Sequence, residues 1–199
     1  MSRCNTRGWW AVGLWMCVIL SQCSEPIPVP KPRGFFRIDM PDRIWSLRES
    51  ACGLSFELPQ YAREFQPHSS EFSEGVCGFN LVFPNFHAMV HCTYVPLRQD
   101  RSQLDKLVQD AHELAFNHDI KATGIGRQQF AFSESSVYGL FYDLSGPVAT
   151  PIQFYATDSL YHFVRGSLYF NHTPQPDSLA PSLAHIRTDL VHMIETLQW

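Results

Sequence analysis

The order of apolar segments predicts an α+β fold, an antiparallel β-sheet packed against two main helices. Three observations point there. Two long stretches, Asp100–His118 and Pro181–Leu197, carry apolar residues at helical spacing. Shorter runs rich in Phe, Val, Ile and Tyr read as strands bounded by turn-forming residues. The succession is two or three strands, a helix, three strands and a second helix, with no internal repeat.

The chain opens on Arg3 and Arg7, with no acid, followed by an apolar run from Trp9 to Leu20. Those 12 residues fall short of the roughly 20 that a membrane-spanning helix needs. They suit the hydrophobic region of a secretory signal instead. Leu20-Ser21-Gln22-Cys23 resembles a lipobox, whose cysteine is acylated and becomes the new N-terminus; Gln22 departs from the usual Gly, Ala or Ser. More than one acyl chain on Cys23 is what stable anchoring requires. Prolines at 26, 28, 30 and 32 favour an extended polyproline II spacer, rising about 3.1 Å per residue. The expected organisation is a signal peptide over 1–22, a lipidated cysteine and tether over 23–33, and one α+β domain over 34–199, facing the periplasm.

Within that domain, Leu54–Leu58 reads as a strand ended by Pro59, and Gln60–Gly78 as a polar loop. Phe79–Phe83 and Ala88–Val95 read as strands joined by a turn at Pro84-Asn85. In the first helix Leu104, Leu107, Val108, Ala111, Leu114 and Ala115 share a face, with Ser102 and Asp105 as its start signal. Val137–Leu144, Ile152–Thr157 and Tyr161–Phe170 are the next strands, the last two joined tightly enough at Asp158-Ser159 for a hairpin. In the second helix Leu183, Ile186, Leu190, Ile194 and Leu197 face inward, and Pro181 suits the first turn.

Aromatic residues make up 14% of the chain and charged residues only 17%, the balance of a filled core rather than a disordered chain. Loss of Arg3 and Arg7 with the signal leaves 13 basic against 19 acidic side chains, a formal charge of −6. With no basic patch, nucleic acid is not an expected partner. After removal of the signal and acylation of Cys23, three cysteines remain in an oxidising compartment. Cys52 and Cys77 each precede a glycine at the edge of a strand-like run and are expected to pair. Cys92 alternates with Val90 and Tyr94 on an apolar strand face and reads as a buried free thiol.

No catalytic motif survives scrutiny. His112-Glu113 begins like H-E-x-x-H, but Phe116 stands where the second histidine belongs. His87 and His91 lie four residues apart in a strand-like segment, about 13 Å and too far for one metal. No G-x-S-x-G is present, and Gly124-Ile125-Gly126 lacks a third glycine. No cofactor or metal is therefore expected. The candidate cluster is Asp158, His162 and Arg165. Arg165 shares a strand face with Tyr161, Phe163 and Tyr169, and His162 points to the other. Arg165 could contact an anion or a partner's carboxylate, or close a structural ion pair with Asp158 or Asp143. Asp158-Ser159-Leu160 and Asp177-Ser178-Leu179 resemble Asp-Ser/Thr-apolar sequences O-glycosylated on some exported bacterial proteins. Ser178 is the better candidate, because Pro174, Pro176 and Pro181 suggest an exposed loop.

Several short motifs together resemble the gliding motility lipoprotein GldD family. They are Lys31-Pro32-Arg33-Gly34-Phe35-Phe36-Arg37-Ile38-Asp39, Tyr138-Gly139 with Asp143, Gln153-Phe154-Tyr155, Thr157-Asp158-Ser159, His162-Phe163 and the ending Glu195-Thr196-Leu197-Gln198-Trp199. The resemblance covers nearly all of residues 30 to 199. It implies an envelope lipoprotein needed for gliding and, in related bacteria, for type IX secretion, acting through contacts with other envelope proteins. It implies no enzymatic activity, and it extends to non-gliding relatives. The strand–helix pattern also resembles PsbP-like sandwiches, an architectural likeness alone. The rival expectation is a periplasmic ligand-binding or hydrolytic enzyme with its site around Asp158, His162 and Arg165; convergence of those three side chains would discriminate.

Overall fold

Apolar alternation places the strands, and two amphipathic helices cover what the strands leave open. The computed structural model describes residues 39–65, 75–117, 121–171 and 176–199, so the expectations for the signal, Cys23 and the tether lie outside them. A hairpin of β1 (Trp45–Glu49) and β2 (Ser55–Pro59) forms a small separate sheet. The main sheet comprises β3 (Arg63–Phe65), β4 (Cys77–Phe83), β5 (Ala88–Pro96), β6 (Gly124–Phe132), β7 (Val137–Ser145), β8 (Ile152–Thr157) and β9 (His162–Phe170). Its order is β3-β4-β5-β9-β8-β7-β6, and every pairing is antiparallel. Helix α1 (Arg101–Phe116) follows β5, and α2 (Pro176–Glu195) follows β9. The result is an α+β sandwich. Among the described residues no helix is long and apolar enough to cross a membrane.

Strand alternation sends one set of side chains to each helix. On one face Tyr142, Leu144, Tyr155 and Phe163 pack with Ala111 and Ala115 of α1. On the other, Phe79, Leu81, Val90, Phe154 and Leu168 meet Ile186, Leu190 and Ile194 of α2, with Phe56 and Leu58 of the hairpin. Each such Leu or Phe contributes about 1.5–3 kcal/mol by leaving water. The hairpin is stapled to α2 by chemistry as well. His192 Nε2 lies 2.7 Å from Glu57 Oε2, Trp45 stacks on His192, and Gln198 exchanges two backbone hydrogen bonds with Ser55.

Two rings sit over glycines on the neighbouring strand. Phe154 is opposite Gly166, where an added Cβ would stand 2.3 Å from its Cζ. Phe130 is opposite Gly139, with the same atom 2.6 Å away. Cys52 and Cys77 are bridged, with Cα atoms 5.7 Å apart, and Cys92 is a buried free thiol.

The structure corrects several expected boundaries. The cap of α1 is Asp100, whose carboxylate accepts the Gln103 N–H at 3.1 Å, while Ser102 lies inside the helix. Helix α2 begins at Pro176, not Pro181; Pro181 sits on its exposed side, near enough to the start that one backbone bond is lost. Ser178 consequently lies in an exposed helical turn rather than a loop. Strands β1, β3 and β6 were not predicted. β1 and β6 are mostly outward-facing, β3 is only three residues long, and none shows a strong apolar run.

Candidate functional site

Of the three residues singled out around the β8–β9 turn two come together, His162 Nε2 lying 4.0 Å from Asp158 Oδ2, while Arg165 does not join them. Asp158 Oδ1 accepts the N–H groups of Leu160, Tyr161 and His162 at 2.8–2.9 Å, so this carboxylate organises the turn. Thr157 completes it, donating to the His162 carbonyl and accepting the Ser159 N–H. Ser159 takes φ 70° at the tip. The ring of His162 lies between two aromatic neighbours. Its Nδ1 is 2.8 Å from Tyr94 Oη, and its plane stacks on Trp199 with centroids 5.2 Å apart. Burial, reinforced by the Asp158 charge, raises the Tyr94 pKa and keeps that phenol protonated.

Arg165 points to the opposite face of the sheet, between Thr93 and Tyr155 on the adjacent strands. It is half-buried, and among the described residues no carboxylate pairs with it. The expected ion pair is therefore corrected on both candidates. Asp158 is engaged by its turn. Asp143 faces α2, where Arg187 grips it with two bonds of 2.8 Å. The same guanidinium reaches Gln128 and lies over the Phe141 ring. Hydrogen bonding to Asp143 raises the Arg187 pKa further. Strand parity is the reason: residues 143 and 165 occupy opposite faces, which proximity in a topology sketch cannot reveal.

Sequence reasoning missed a buried charge. Asp189, with no exposure, accepts Arg43 Nε at 2.7 Å and the Tyr61 hydroxyl. Arg43 also donates to the His185 carbonyl. Burial and the bond to Asp189 raise the Tyr61 pKa, so it remains a donor. His185 Nε2 is buried without a partner among the described residues, and burial lowers its pKa toward the neutral ring. The available signal was an acid at 189, three residues from Ile186 on the inward stripe of α2.

Two hollows open beside the strand β6. Between α1 and the sheet, a groove of about 610 Å³ has Leu104, Val108 and Leu140 as its apolar surfaces. Tyr142, Tyr155, His112, Asp105 and Gln129 supply its polar groups. Burial, with Tyr155 nearby, pushes the Tyr142 phenol up to about 12, so it stays a neutral donor near neutral pH. Beside α2, a hollow of about 290 Å³ is lined by Phe130, Phe132, Phe141, Val191 and Ile194. In the larger groove His112 Nδ1 lies 3.4 Å from Tyr142 Oη, and among the described residues no cluster of three His, Cys, Asp or Glu could hold a metal. His87 ends a 3-10 turn with φ 48°, whereas His91 sits in β5 bonded to Asn80.

Fold and site together define a small α+β sandwich whose described residues leave open hollows on both faces of β6. The chain belongs to the gliding motility lipoprotein GldD family, whose sequence model matches residues 25–199. No curated protein matches it. Among solved structures, the solution structure of cyanobacterial PsbP from Synechocystis sp. PCC 6803 is similar at a TM-score of 0.45 and 10% identity, covering 74% of this chain and 90% of that one.

Proposed function

We propose that this protein is an accessory lipoprotein of the gliding motility and type IX secretion machinery. It is tethered to the cell envelope through Cys23, faces the periplasm, and acts by binding other envelope proteins. The family match over residues 25–199 is the observation that carries this reading. The lipobox-like Leu20-Ser21-Gln22-Cys23 and the proline-rich spacer behind it support the tether. Against the enzymatic alternative stands the position of Arg165 on the sheet face opposite His162, whose Nε2 lies 4.0 Å from Asp158 Oδ2. The test is a deletion strain complemented with wild type or with Cys23→Ala. Surface spreading and the amount of type IX cargo in the medium should fall in the deletion, return with wild type, and return only in part with Cys23→Ala. Unchanged spreading and unchanged secretion in the deletion strain would refute the reading.

A further inference from the structure

We infer that the free edge of β6 receives an extended strand from a partner protein, adding an eighth strand to the main sheet, with an apolar side chain at every second position. The inference rests on the protein-binding role proposed above and names the surface and the chemistry of what it binds.

The two edges of the sheet are built differently. β3 is three residues long and carries Arg63 and Glu64, and the Glu64 carboxylate accepts the Ala51 N–H. That is how a protected edge looks: short, charged and tied to a neighbouring loop. β6 runs for nine residues with no proline. Its one formal charge, Arg127, lies over the Phe116 ring 5.8 Å from the centroid. Residues 126–129 are exposed, and among the described residues β6 pairs only with β7. A long, weakly charged edge of this kind offers a row of backbone donors and acceptors to another strand.

The surroundings of the edge select the strand. Side chains of an added strand would alternate between the α2 face and the α1 face. On the α2 face they meet the hollow walled by Phe130, Phe132, Val191 and Ile194, with Glu195 also lining it; its apolar walls take a group of leucine or phenylalanine size. On the α1 face they meet the larger groove, where Asp105, the phenols and the amides favour a polar or basic group. The formal charge of −6 expected after removal of the signal selects in the same direction, against an acidic partner strand. A second copy of this chain fits less well. Antiparallel self-pairing about Gln128 brings the two Arg127 side chains diagonally together on one face.

The experiment places a photo-cross-linking amino acid at Gln128, Gln129 or Ala131 of the full-length lipoprotein in its native cells. Cross-linked peptides are then mapped by mass spectrometry. Adducts should fall in one short segment of another envelope protein, with Gln128 and Gln129 reaching neighbouring residues of opposite parity and the residues on the Gln128 side apolar. The same label at Arg63 should give none of these adducts. Val191→Asp, confirmed as folded by its melting temperature, should lower the Gln128 adduct about tenfold, the equivalent of roughly 1.4 kcal/mol. If that variant does not fold, Ala131→Lys, which charges the edge outside the core, serves the same purpose. Adducts on β6 of a second copy, adducts without strand alternation, or adducts insensitive to both substitutions would overturn the inference. The deletion phenotype judges the accessory role separately, because it does not depend on where the cross-links fall.

Discussion

Arg43→Ala should destabilise the fold more than Asp189→Asn, although the arginine is the more exposed partner. Asp189 has no solvent exposure, and 31% of the Arg43 side chain remains accessible. Removing the arginine strands a carboxylate that water cannot reach, leaving the Tyr61 hydroxyl as its remaining side-chain donor among the described residues. Loss of one partner from a buried pair costs about 3–5 kcal/mol, and the retained Tyr61 bond places the expected loss near the lower end, about 3 kcal/mol. Asp189→Asn leaves a guanidinium that can turn to water, so the loss is that of a charged hydrogen bond, about 1.5–2 kcal/mol. At about 2–4 °C per kcal/mol for a domain of this size, the melting temperature should fall by roughly 6–12 °C for Arg43→Ala. Urea unfolding followed by tryptophan fluorescence measures both variants and the double substitution, which should lose less than the sum of the two. An Arg43→Ala loss under about 1 kcal/mol, or a reversed ranking, would show that the pair behaves as a hydrated surface contact and refute the reasoning.

Gly166→Ala should destabilise by about 1–3 kcal/mol through overpacking, because its Cβ would overlap the Phe154 ring; chemical denaturation measures it, and a neutral result would mean the ring can withdraw. Opening the Cys52–Cys77 bridge, which spans 25 residues, should cost roughly 3–4 kcal/mol, and native alkylation should spare Cys92, whose buried thiol has a raised pKa. Peptide mapping that joined Cys92 to either partner would contradict that pairing. Stability should decline above pH 10, since unfolded tyrosines ionise there while Tyr142 holds its proton to about 12; melting temperatures that are flat from pH 9 to 12 would count against the buried phenol. Intact mass spectrometry of the envelope protein should find acyl chains on Cys23 and a glycan on Ser178; a mass equal to the bare polypeptide plus lipid would dismiss the glycan.

Local pattern decided a great deal here. Periodicity was sufficient for both helices and six strands, because their apolar stripes face a core and repeat at the spacing of the element. It failed for β1, β3 and β6, whose outward-facing or very short segments carry little such signal. It also misplaced the start of α2, because Pro176 and Pro181 are equally acceptable near a helix N-terminus and only packing chooses between them.

What depended on tertiary structure was which side chains meet. Asp143, Asp158 and Arg165 look like one cluster along the chain, yet register and parity put Arg165 on the α1 face, commit Asp143 to Arg187 and spend Asp158 on its own turn. Asp189 and Arg43 stand 146 residues apart, and nothing local foretells their pairing. The open edge at β6 exists only because β7 pairs with it on one side and nothing among the described residues pairs on the other. Backbone preferences and hydrophobic periodicity act over a few residues, so a sequence read alone can carry them. Partnerships of charges and edges are set by the global arrangement of strands, where a one-residue change of parity moves a side chain to the other side of the sheet.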